Sequence, residues 1–282
     1  MKTVLGIIAS PRRLGNCELM VKEIARSIPE PHDLRLLRLH DFAIGSCRAC
    51  YACLFGDGVC PVGDDLPAAI EAIAGADALI VAAPTYYLGP NAALKDFLDR
   101  GLSFYAHADR LWGTPAVGVS VAGIPGREGY AKLGIQSFLK LLLADVKGVE
   151  VAYGALPGEV FLSDENREMA AALGKALFGE PVSAAGPVCP LCGGDTFRFL
   201  GGDQVRCMLC SNAGRMETGP EGPSFQIERG EHQLFLTRKD VEDHGEWLRS
   251  MKDRFMERRK ELKRLILPYR KDGEWIRPDG AA

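Results

Sequence analysis

Short apolar runs alternate with amphipathic segments along the first 180 residues of the chain. A short apolar run is typical of a buried strand, whereas apolar positions three or four residues apart are typical of a helix. On this basis we expect strands at 4–9, 34–39, 78–83, 116–122 and 149–153. The segments between and after them predict helices at 15–28, 64–74, 92–102, 130–143 and 165–177.

Regular alternation of strands and helices favours a parallel sheet that is covered by helices on both faces. Because crossovers between parallel strands are right-handed, the expected fold class is α/β with a doubly wound sheet, of Rossmann or flavodoxin type. The segment 34–39 alternates apolar and basic residues, which places its strand near the sheet edge.

The pattern changes at 181–187, a stretch of small residues and proline that predicts a linker. We expect one domain at 1–180, a small module at 187–222, and a third region at 223–282. In that last region, residues 225–236 suit one or two strands. Thr237 is a typical N-cap for a long charged helix, which ends near Leu267 because Pro268 follows.

Composition narrows the classes of function. The 282 residues contain 34 Lys and Arg against 37 Asp and Glu, a net charge of −3. Such a chain has no global basic field, which argues against nucleic acid or an anionic membrane as partner. No apolar run approaches the roughly 18 residues of a membrane span. We therefore expect a soluble, cytoplasmic protein.

The nine cysteines give the clearest chemical signal. Cys17 stands alone, and the other eight form two quartets with two-residue gaps, which is the spacing of metal ligands. Thiolates must stay reduced to bind metal, which again indicates a cytoplasmic location.

The first quartet lies in the loop 44–63 and consists of Cys47, Cys50, Cys53 and Cys60. Its compact spacing resembles the cysteine run of ferredoxins, and a turn at 56–58 returns the chain to the fourth cysteine. It favours one [4Fe–4S] cluster. Zinc, or four thiols that bind nothing, are the alternatives.

The second quartet has the pattern C-x2-C-x14-C-x2-C and consists of Cys189, Cys192, Cys207 and Cys210. Two cysteine pairs on separate hairpins are typical of a zinc ribbon. Iron is the rival metal, because the first pair also resembles a rubredoxin knuckle. Four thiolates leave no open coordination position, so the predicted role of Zn²⁺ is structural.

Polar residues follow the first predicted strand, where doubly wound folds place a phosphate at a helix N-terminus. Ser10, Arg12 and Asn16 offer a hydroxyl, a guanidinium and an amide there. The loop does not match G-x-G-x-x-G or a P-loop, so a monophosphate fits better than a pyrophosphate. The alternative is a polar connection with an incidental arginine.

Three motifs carry a resemblance to a known family. Ser-Pro-Arg-x-x-Gly-Asn at 10–16 resembles the phosphate loop of the NADPH-dependent FMN reductase family. Pro84-Thr85-Tyr86-Tyr87 with Leu-Lys-Asp-Phe-Leu-Asp-Arg at 94–100 is similar to a second family pattern, and the glycine-rich 122–129 supplies a third. Two positions depart from the family: Ala9 stands where glycine is common, and Cys17 where serine is common.

The resemblance implies a flavodoxin-like five-stranded sheet in the order 2-1-3-4-5 that binds FMN without a covalent bond. It assigns the phosphate to Ser10, Arg12, Asn16 and Cys17. It assigns the flavin ring to Pro84, Thr85, Tyr86, Tyr87, Gly123 and Gly126. The first quartet is similar to that of the iron-sulfur flavoproteins in the same family, which implies a homo-oligomer, a dimer or a tetramer.

The function that we expect is flavin-dependent electron transfer between a donor, NAD(P)H or reduced ferredoxin, and an acceptor, through FMN and the cluster. The flavin would supply the chemistry, so no catalytic acid–base residue is expected. One alternative is an NAD(P)H-dependent FMN or quinone reductase without a functional cluster. Another is a non-catalytic redox sensor or adaptor that acts through the ribbon.

Overall fold

The structure is a computed structural model that describes residues 1–55, 58–220, 222–274 and 276. Part of the turn expected at 56–58 and the end of the region 223–282 lie outside the described residues. The central sheet has six strands, of which five are parallel in the order β2-β1-β3-β5-β6. They are β1 (Lys2–Ile8), β2 (His32–Arg38), β3 (Ala78–Tyr86), β4 (Gly89–Pro90), β5 (Pro115–Ala122) and β6 (Asp145–Tyr153).

Setting aside the two-residue β4, which pairs antiparallel with β3, this order is the expected 2-1-3-4-5. The flavodoxin-like fold class is therefore confirmed. The apolar run in β3 is buried because the strand lies in the middle of the sheet. At the edge, β2 is exposed or half-buried except at Leu37.

Helices cover both faces of the sheet. They are α1 (Asn16–Arg26), α2 (Leu66–Ala74), α3 (Ala92–Asp99), α4 (Ala108–Leu111), α5 (Ala131–Leu141), α6 (Asp164–Ala176) and α7 (Arg238–Ile266). Apolar side chains of α1 and α6 form the core on one face, and those of α2, α3 and α5 form the core on the other. Burial of these two apolar layers is the main stabilising contribution to the sheet.

The helix expected at 92–102 ends earlier than its pattern indicates. After α3 the chain continues as a 3₁₀ segment, Gly101–His107, and then as α4. A Cβ at Gly101 would lie 2.5 Å from the Leu141 side chain, so the tighter turn depends on glycine at this close approach.

The C-terminal region contains a second, antiparallel sheet in the order β10-β9-β8-β7. Its strands are β7 (Phe197–Gly201), β8 (Gln204–Cys207), β9 (Ala213–Gly219) and β10 (Gly222–Ile227). The sheet therefore extends past the boundary expected at 222, and only 225–227 of the strand segment 225–236 is strand. Asn212 and Gln233 exchange side-chain hydrogen bonds of 2.8 and 2.9 Å, which hold the following loop against the sheet instead.

The long C-terminal helix begins as expected. Thr237 caps α7, and Asp240 completes a capping box with it. A 3₁₀ turn, Leu267–Lys271, follows the helix at Pro268. The first turns of α7 bury Val241 and Gly245 against the protein, whereas its later turns are exposed. None of the helices in the described residues is long and apolar enough to cross a membrane.

Candidate functional site

The loop between β1 and α1 closes tightly on itself at the carboxyl end of the first strand. The Ser10 hydroxyl accepts a hydrogen bond of 3.2 Å from the backbone N–H of Arg12. Gly15 is the N-cap residue of α1, and a Cβ there would lie 2.9 Å from the Arg12 Cβ. The first N–H groups of α1 have no acceptor within the helix. A helix N-terminus of this kind favours the binding of an anion in the loop before it.

Asn16 does not offer its side chain to a ligand. Its amide nitrogen donates to the carbonyls of Gly154 and Leu156, at 2.8 and 3.0 Å. Its amide oxygen accepts from the N–H of Gly158 at 2.8 Å. The side chain therefore fastens the loop after β6, and both of its N–H bonds are donated to that loop. The assignment of Asn16 to the phosphate stays a prediction, which rests on its place in the groove at the start of α1.

Cys17 is buried, with 2% of its surface exposed. Burial raises the pKa of its thiol to about 12, so the sulfur stays protonated. Cys17 packs in the core beneath the loop with Met20 and Ile24. Its contribution to an anion site is thus limited to the backbone.

A groove of about 210 Å³ opens at this edge of the sheet. It brings together eight of the ten residues predicted to bind the flavin, namely Ser10, Arg12, Asn16, Cys17, Pro84, Thr85, Tyr86 and Gly123. Gly15, Val121, Ala155 and Pro157 complete the lining. Pockets that enclose a drug-sized ligand span roughly 300–1,000 Å³, so this groove fits one end of a flavin mononucleotide.

The two remaining predicted residues do not line the groove. Tyr87 is 98% exposed, and Gly126 lies in a left-handed turn at φ +73°. Tyr87 and Leu88 both adopt positive φ, at 46° and 68°, so the chain leaves β3 through a strained turn. The Leu88 carbonyl accepts a hydrogen bond of 2.7 Å from the N–H of Tyr130, which holds this turn against the start of α5.

Asn91 connects the groove to the segment that carries the first cysteines. Its side-chain nitrogen lies 2.6 Å from the carbonyl oxygen of Ala9 and 3.3 Å from Nε2 of His40. The side chain is buried, and its amide oxygen has no hydrogen-bond partner within the described part of the chain. No motif had indicated Asn91; only its position beside the family pattern at 84–100 could have drawn attention to it.

The first quartet lies in an open loop. Cys47 and Cys50 are exposed, and Cys53 and Cys60 are half-buried. Ala49 and Tyr51, on either side of Cys50, have φ values of 51° and 58°. The backbone N–H of Ala49 donates to the Cys47 sulfur at 3.4 Å. Left-handed residues of this kind occur in the backbone turns that bind anions, including many iron–sulfur sites.

Arg100 clasps the base of this loop. Its guanidinium donates to the carbonyl of Gly45 at 2.7 Å and to the carboxylate of Asp64 at 2.6 Å, so it joins the chain before Cys47 to the chain after Cys60. The hydrogen bond from Arg100 lowers the pKa of Asp64. Arg100 ends the family-like pattern at 94–100, but that pattern gave no reason to place it beside the cysteines.

The second quartet has the geometry of a site for a single metal ion. All four Sγ atoms lie within 4.8 Å of one another, and among the described residues no other group meets that criterion. The Sγ–Sγ distances are 3.8 Å for Cys189–Cys210 and 3.5 Å for Cys192–Cys207. Zn–S bonds of about 2.3 Å in a tetrahedron separate the sulfurs by about 3.8 Å, so the set fits a single tetrahedral metal ion.

Both cysteine pairs form the same turn. Gly193 follows the first pair with φ 74° and donates its N–H to the Cys189 carbonyl at 2.9 Å. Ser211 follows the second pair with φ 61° and donates to the Cys207 carbonyl at 3.0 Å. The four sulfurs are close enough to form hydrogen bonds with one another. These hydrogen bonds raise the pKa of the Cys192 thiol and lower that of the Cys210 thiol. A bound cation would replace the protons in these bonds.

The second sheet is attached to the flavodoxin-like part through α5. Asp195, next to the first cysteine pair, lies 2.7 Å from the Lys132 ammonium and accepts a weaker hydrogen bond from Gln136 at 3.3 Å. Leu133 packs against the apolar cluster that surrounds the four sulfurs. Helix α5 begins directly after Tyr130, whose N–H bonds to the Leu88 carbonyl in the turn beyond β3. The second quartet and the open side of the groove therefore pack against the same helix.

Comparison with known proteins agrees with this geometry. The family model of NADPH-dependent FMN reductase matches residues 2–154, which is more than half of the chain. The chain belongs to this family. It is a flavoprotein and a flavin-dependent oxidoreductase with a flavodoxin-like fold.

Iron-sulfur flavoproteins are among the similar proteins. One from Archaeoglobus fulgidus is 32% identical over 179 residues, which are 63% of this chain and 79% of the relative. Another, from Methanocaldococcus jannaschii, is 32% identical over 124 residues, 43% of this chain and 64% of the relative. The chain thus groups with iron-sulfur flavoproteins within the FMN reductase family.

The match to one solved structure also includes the C-terminal region. A flavone reductase has a TM-score of 0.74 at 18% identity, and the match covers 98% of this chain and 100% of that one. The similarity concerns the fold. It shows that the second sheet and the long helix occur together with a flavodoxin-like sheet in another protein.

Proposed function

We propose that this oxidoreductase passes electrons between a donor and an acceptor through FMN in the groove and a [4Fe–4S] cluster in the first quartet. One observation carries the proposal. Asn91 contacts both Ala9, at the start of the phosphate loop, and His40, at the start of the segment that leads to Cys47. The two loops leave adjacent strands at the same edge, so two redox groups held there would be neighbours.

The residues around the groove suit FMN. Ser10, the exposed Arg12 guanidinium and the N–H groups at the start of α1 would hold the phosphate. Pro84, Thr85, Tyr86 and Gly123 would meet the ring, and Tyr87 is exposed and available to cover it. The Thr85 hydroxyl lies 3.1 Å from that of Ser120, which fixes its orientation.

Cys47, Cys50, Cys53 and Cys60 would hold the [4Fe–4S] cluster. Their sulfurs do not converge as those of the second quartet do, which suits four ligands on four separate irons better than one zinc ion. The left-handed conformations of Ala49 and Tyr51, and the N–H of Ala49 donated to the Cys47 sulfur, suit a loop that binds an anionic centre. The family relatives named iron-sulfur flavoproteins support the same assignment.

Cys189, Cys192, Cys207 and Cys210 would bind a structural Zn²⁺. The short distances between the sulfurs support this, as does their burial in an apolar cluster without an open coordination position. On this basis we divide the chain into a flavin domain at 1–180, a zinc ribbon beginning at 187 that includes β10, and the α7 region. Two sites that require free thiolates also support a reducing, cytoplasmic compartment.

The side chains and backbone groups of the groove would bind and orient the flavin and exclude water from it. FMN, when bound, exchanges electrons in pairs or singly and so links a two-electron donor to a one-electron site. Asn16 holds the 154–158 loop against the groove, and the strained turn at Tyr87 shapes the open side. We propose no acid–base residue in the groove.

The donor is NAD(P)H or a reduced, acidic carrier such as ferredoxin. The exposed later turns of α7 support the second: between 249 and 271, Lys and Arg outnumber Asp and Glu ten to three, in a chain of net charge −3. This basic surface starts beside the first quartet, where the Lys252 ammonium lies 5.2 Å from the centre of the Phe55 ring. Charge complementarity would speed the encounter with an acidic carrier.

A homo-oligomer, a dimer or a tetramer, would cover apolar side chains around the groove. Tyr86, Tyr87, Ile124, Tyr130 and Leu156 are all more than half exposed. A contiguous exposed apolar patch is typical of an interface. Light scattering at micromolar concentration tests this, and a monomeric holoprotein would contradict it.

An anaerobic absorption spectrum of the purified holoprotein, before and after dithionite, tests the main proposal. We expect flavin bands and a broad absorbance that dithionite bleaches, together with iron and zinc by elemental analysis. Cys50→Ala should lose the iron and keep flavin and zinc. Cys17→Ala is the matched control, because Cys17 is buried away from both quartets and should leave both metals in place.

The same experiments separate the alternatives. A reductase without a functional cluster would show flavin bands but no iron, and its NAD(P)H turnover would be unchanged in Cys50→Ala. A redox adaptor would show negligible turnover with any donor. Either result would replace the two-centre proposal.

A further inference from the structure

Two buried polar side chains face the first quartet from the segment that follows α3. Arg100 and Ser103 are each 2% exposed. The backbone N–H of Ser103 donates to the Arg100 carbonyl at 3.1 Å, so the two residues lie on one turn of chain. This turn packs against Ala52–Leu54, the short 3₁₀ helix that contains Cys53.

Arg100 fixes both ends of the loop that carries the quartet. It bonds to Gly45 before Cys47 and to Asp64 after Cys60, and it is near enough to Cys60 for that thiol to act on its charge. Burial opposes the charge on Arg100, but Asp64 and Cys60 outweigh it and raise the pKa of the guanidinium. Its Nε is buried without a hydrogen-bond partner among the described residues. One carboxylate therefore does not satisfy all the donors of this cation.

Ser103 presents an unsatisfied hydroxyl to the other half-buried cysteine. Its Oγ is buried and completes no hydrogen bond within the described residues, and the segment that carries it packs against the 3₁₀ helix of Cys53. A buried hydroxyl without a partner is destabilising, so the site is incomplete without an acceptor. A metal-bound thiolate at Cys53 is an acceptor in the right place.

We propose that Arg100 and Ser103 are positioning residues for the cluster, which donate to the Cys60 and Cys53 thiolates and raise its reduction potential. The inference rests on the function proposed above. One electron added to the cluster adds one negative charge at the sulfurs and irons. A fixed cation and a hydroxyl donor stabilise that reduced state more than the oxidised one. Arg100 stays charged throughout, so no proton moves with the electron.

The test is an anaerobic dithionite titration of the holoprotein, followed by electron paramagnetic resonance, for the wild type, Ser103→Ala and Arg100→Lys. Ser250→Ala and Arg110→Lys are matched controls, because Ser250 is exposed on α7 and Arg110 pairs with Glu71 on the surface. Iron content and the flavin potential are measured on the same samples, so that loss of the cluster is told apart from a shifted potential.

We expect Ser103→Ala to bind a full complement of iron and to lower the equilibrium constant for cluster reduction about tenfold, a shift of about 59 mV for one electron. Arg100→Lys should shift it in the same direction and make the 45–64 loop more sensitive to protease. The flavin potential and both controls should stay at wild-type values.

Three outcomes would decide against the proposal. Ser103→Ala and Arg100→Lys with full iron and an unchanged cluster potential would overturn this inference and leave the proposed function intact. A wild-type protein that takes up flavin but no iron would overturn the proposed function and this inference with it. If Arg100→Lys does not fold, an unchanged cluster potential in Ser103→Ala alone overturns the inference.

Discussion

The amide oxygen of Asn16 accepts a hydrogen bond of 2.8 Å from the backbone N–H of Gly158, 142 residues later in the chain. Together with the two bonds from its amide nitrogen to Gly154 and Leu156, this contact joins the first loop of the sheet to the last. One side chain therefore sets the width of the groove between the phosphate loop and the loop after β6.

Replacing Asn16 with alanine should widen the groove and destabilise the fold. Three hydrogen bonds at about 0.5–1.5 kcal/mol each predict a loss of about 1.5–4.5 kcal/mol in the free energy of unfolding. FMN affinity should fall as well, because the 154–158 loop is released. Urea denaturation of the apoprotein and a flavin fluorescence titration measure the two effects. If Asn16→Ala unfolds with the free energy of the wild type, water replaces the hydrogen bonds of the amide without loss of stability.

Arg12→Ala should weaken FMN about tenfold and leave riboflavin affinity unchanged. Arg12 lines the groove near the helix N-terminus, and one hydrogen bond to a charged group contributes roughly 1.5 kcal/mol when exposed. Riboflavin lacks the phosphate, so it isolates that contact. Arg13→Ala is the matched control, since Arg13 is exposed beside it but does not line the groove. Equal losses for both flavins would place Arg12 at the ring.

Cys192→Ser should release one metal ion per chain and disorder the second sheet, while FMN stays bound. The sulfurs form the centre of the apolar cluster that holds β8 to the cysteine pairs, and so small a cluster depends on its metal. Elemental analysis and limited proteolysis after residue 187 follow the two effects. If Cys192→Ser keeps its full zinc content, the second quartet is not the site of a structural zinc ion.

Acid should weaken the clasp between Arg100 and Asp64. The folded pKa of Asp64 is below its ordinary value, so its stabilisation is complete above about pH 3.9 and is lost as the pH falls through the folded pKa. Asp64→Asn leaves a buried cation unpaired and should cost about 3 kcal/mol at pH 7. As the pH falls below about 3.9, the wild type should lose more stability than Asp64→Asn.

Urea titrations of the apoprotein at several pH values give these free energies of unfolding. Asp33→Asn is the control, because Asp33 is exposed on β2. Parallel pH curves for wild type and Asp64→Asn would show that the clasp does not titrate in this range.

The inner strands β1, β3 and β5 were predictable because each is a short apolar run, and runs of that kind are buried in a parallel sheet. The edge strand β2 was predictable from its alternation of apolar and basic residues. The cysteine pairs of the ribbon were predictable from spacing alone. Arg100, Ser103 and Asn91 were not, because each acts on residues that lie distant in the chain. For Asn16 the sequence indicated a residue of the groove but not its bonds to the loop after β6, because those partners lie about 140 residues away in the chain.

The two sulfur sites differ in their access to solvent. Cys47 and Cys50 are exposed, while Cys189, Cys207 and Cys210 are buried. Oxygen or peroxide would reach the open site first, and the closed one would keep its scaffold intact. If the first quartet holds the proposed cluster, oxidation would then remove the one-electron site and leave the fold and the flavin groove in place.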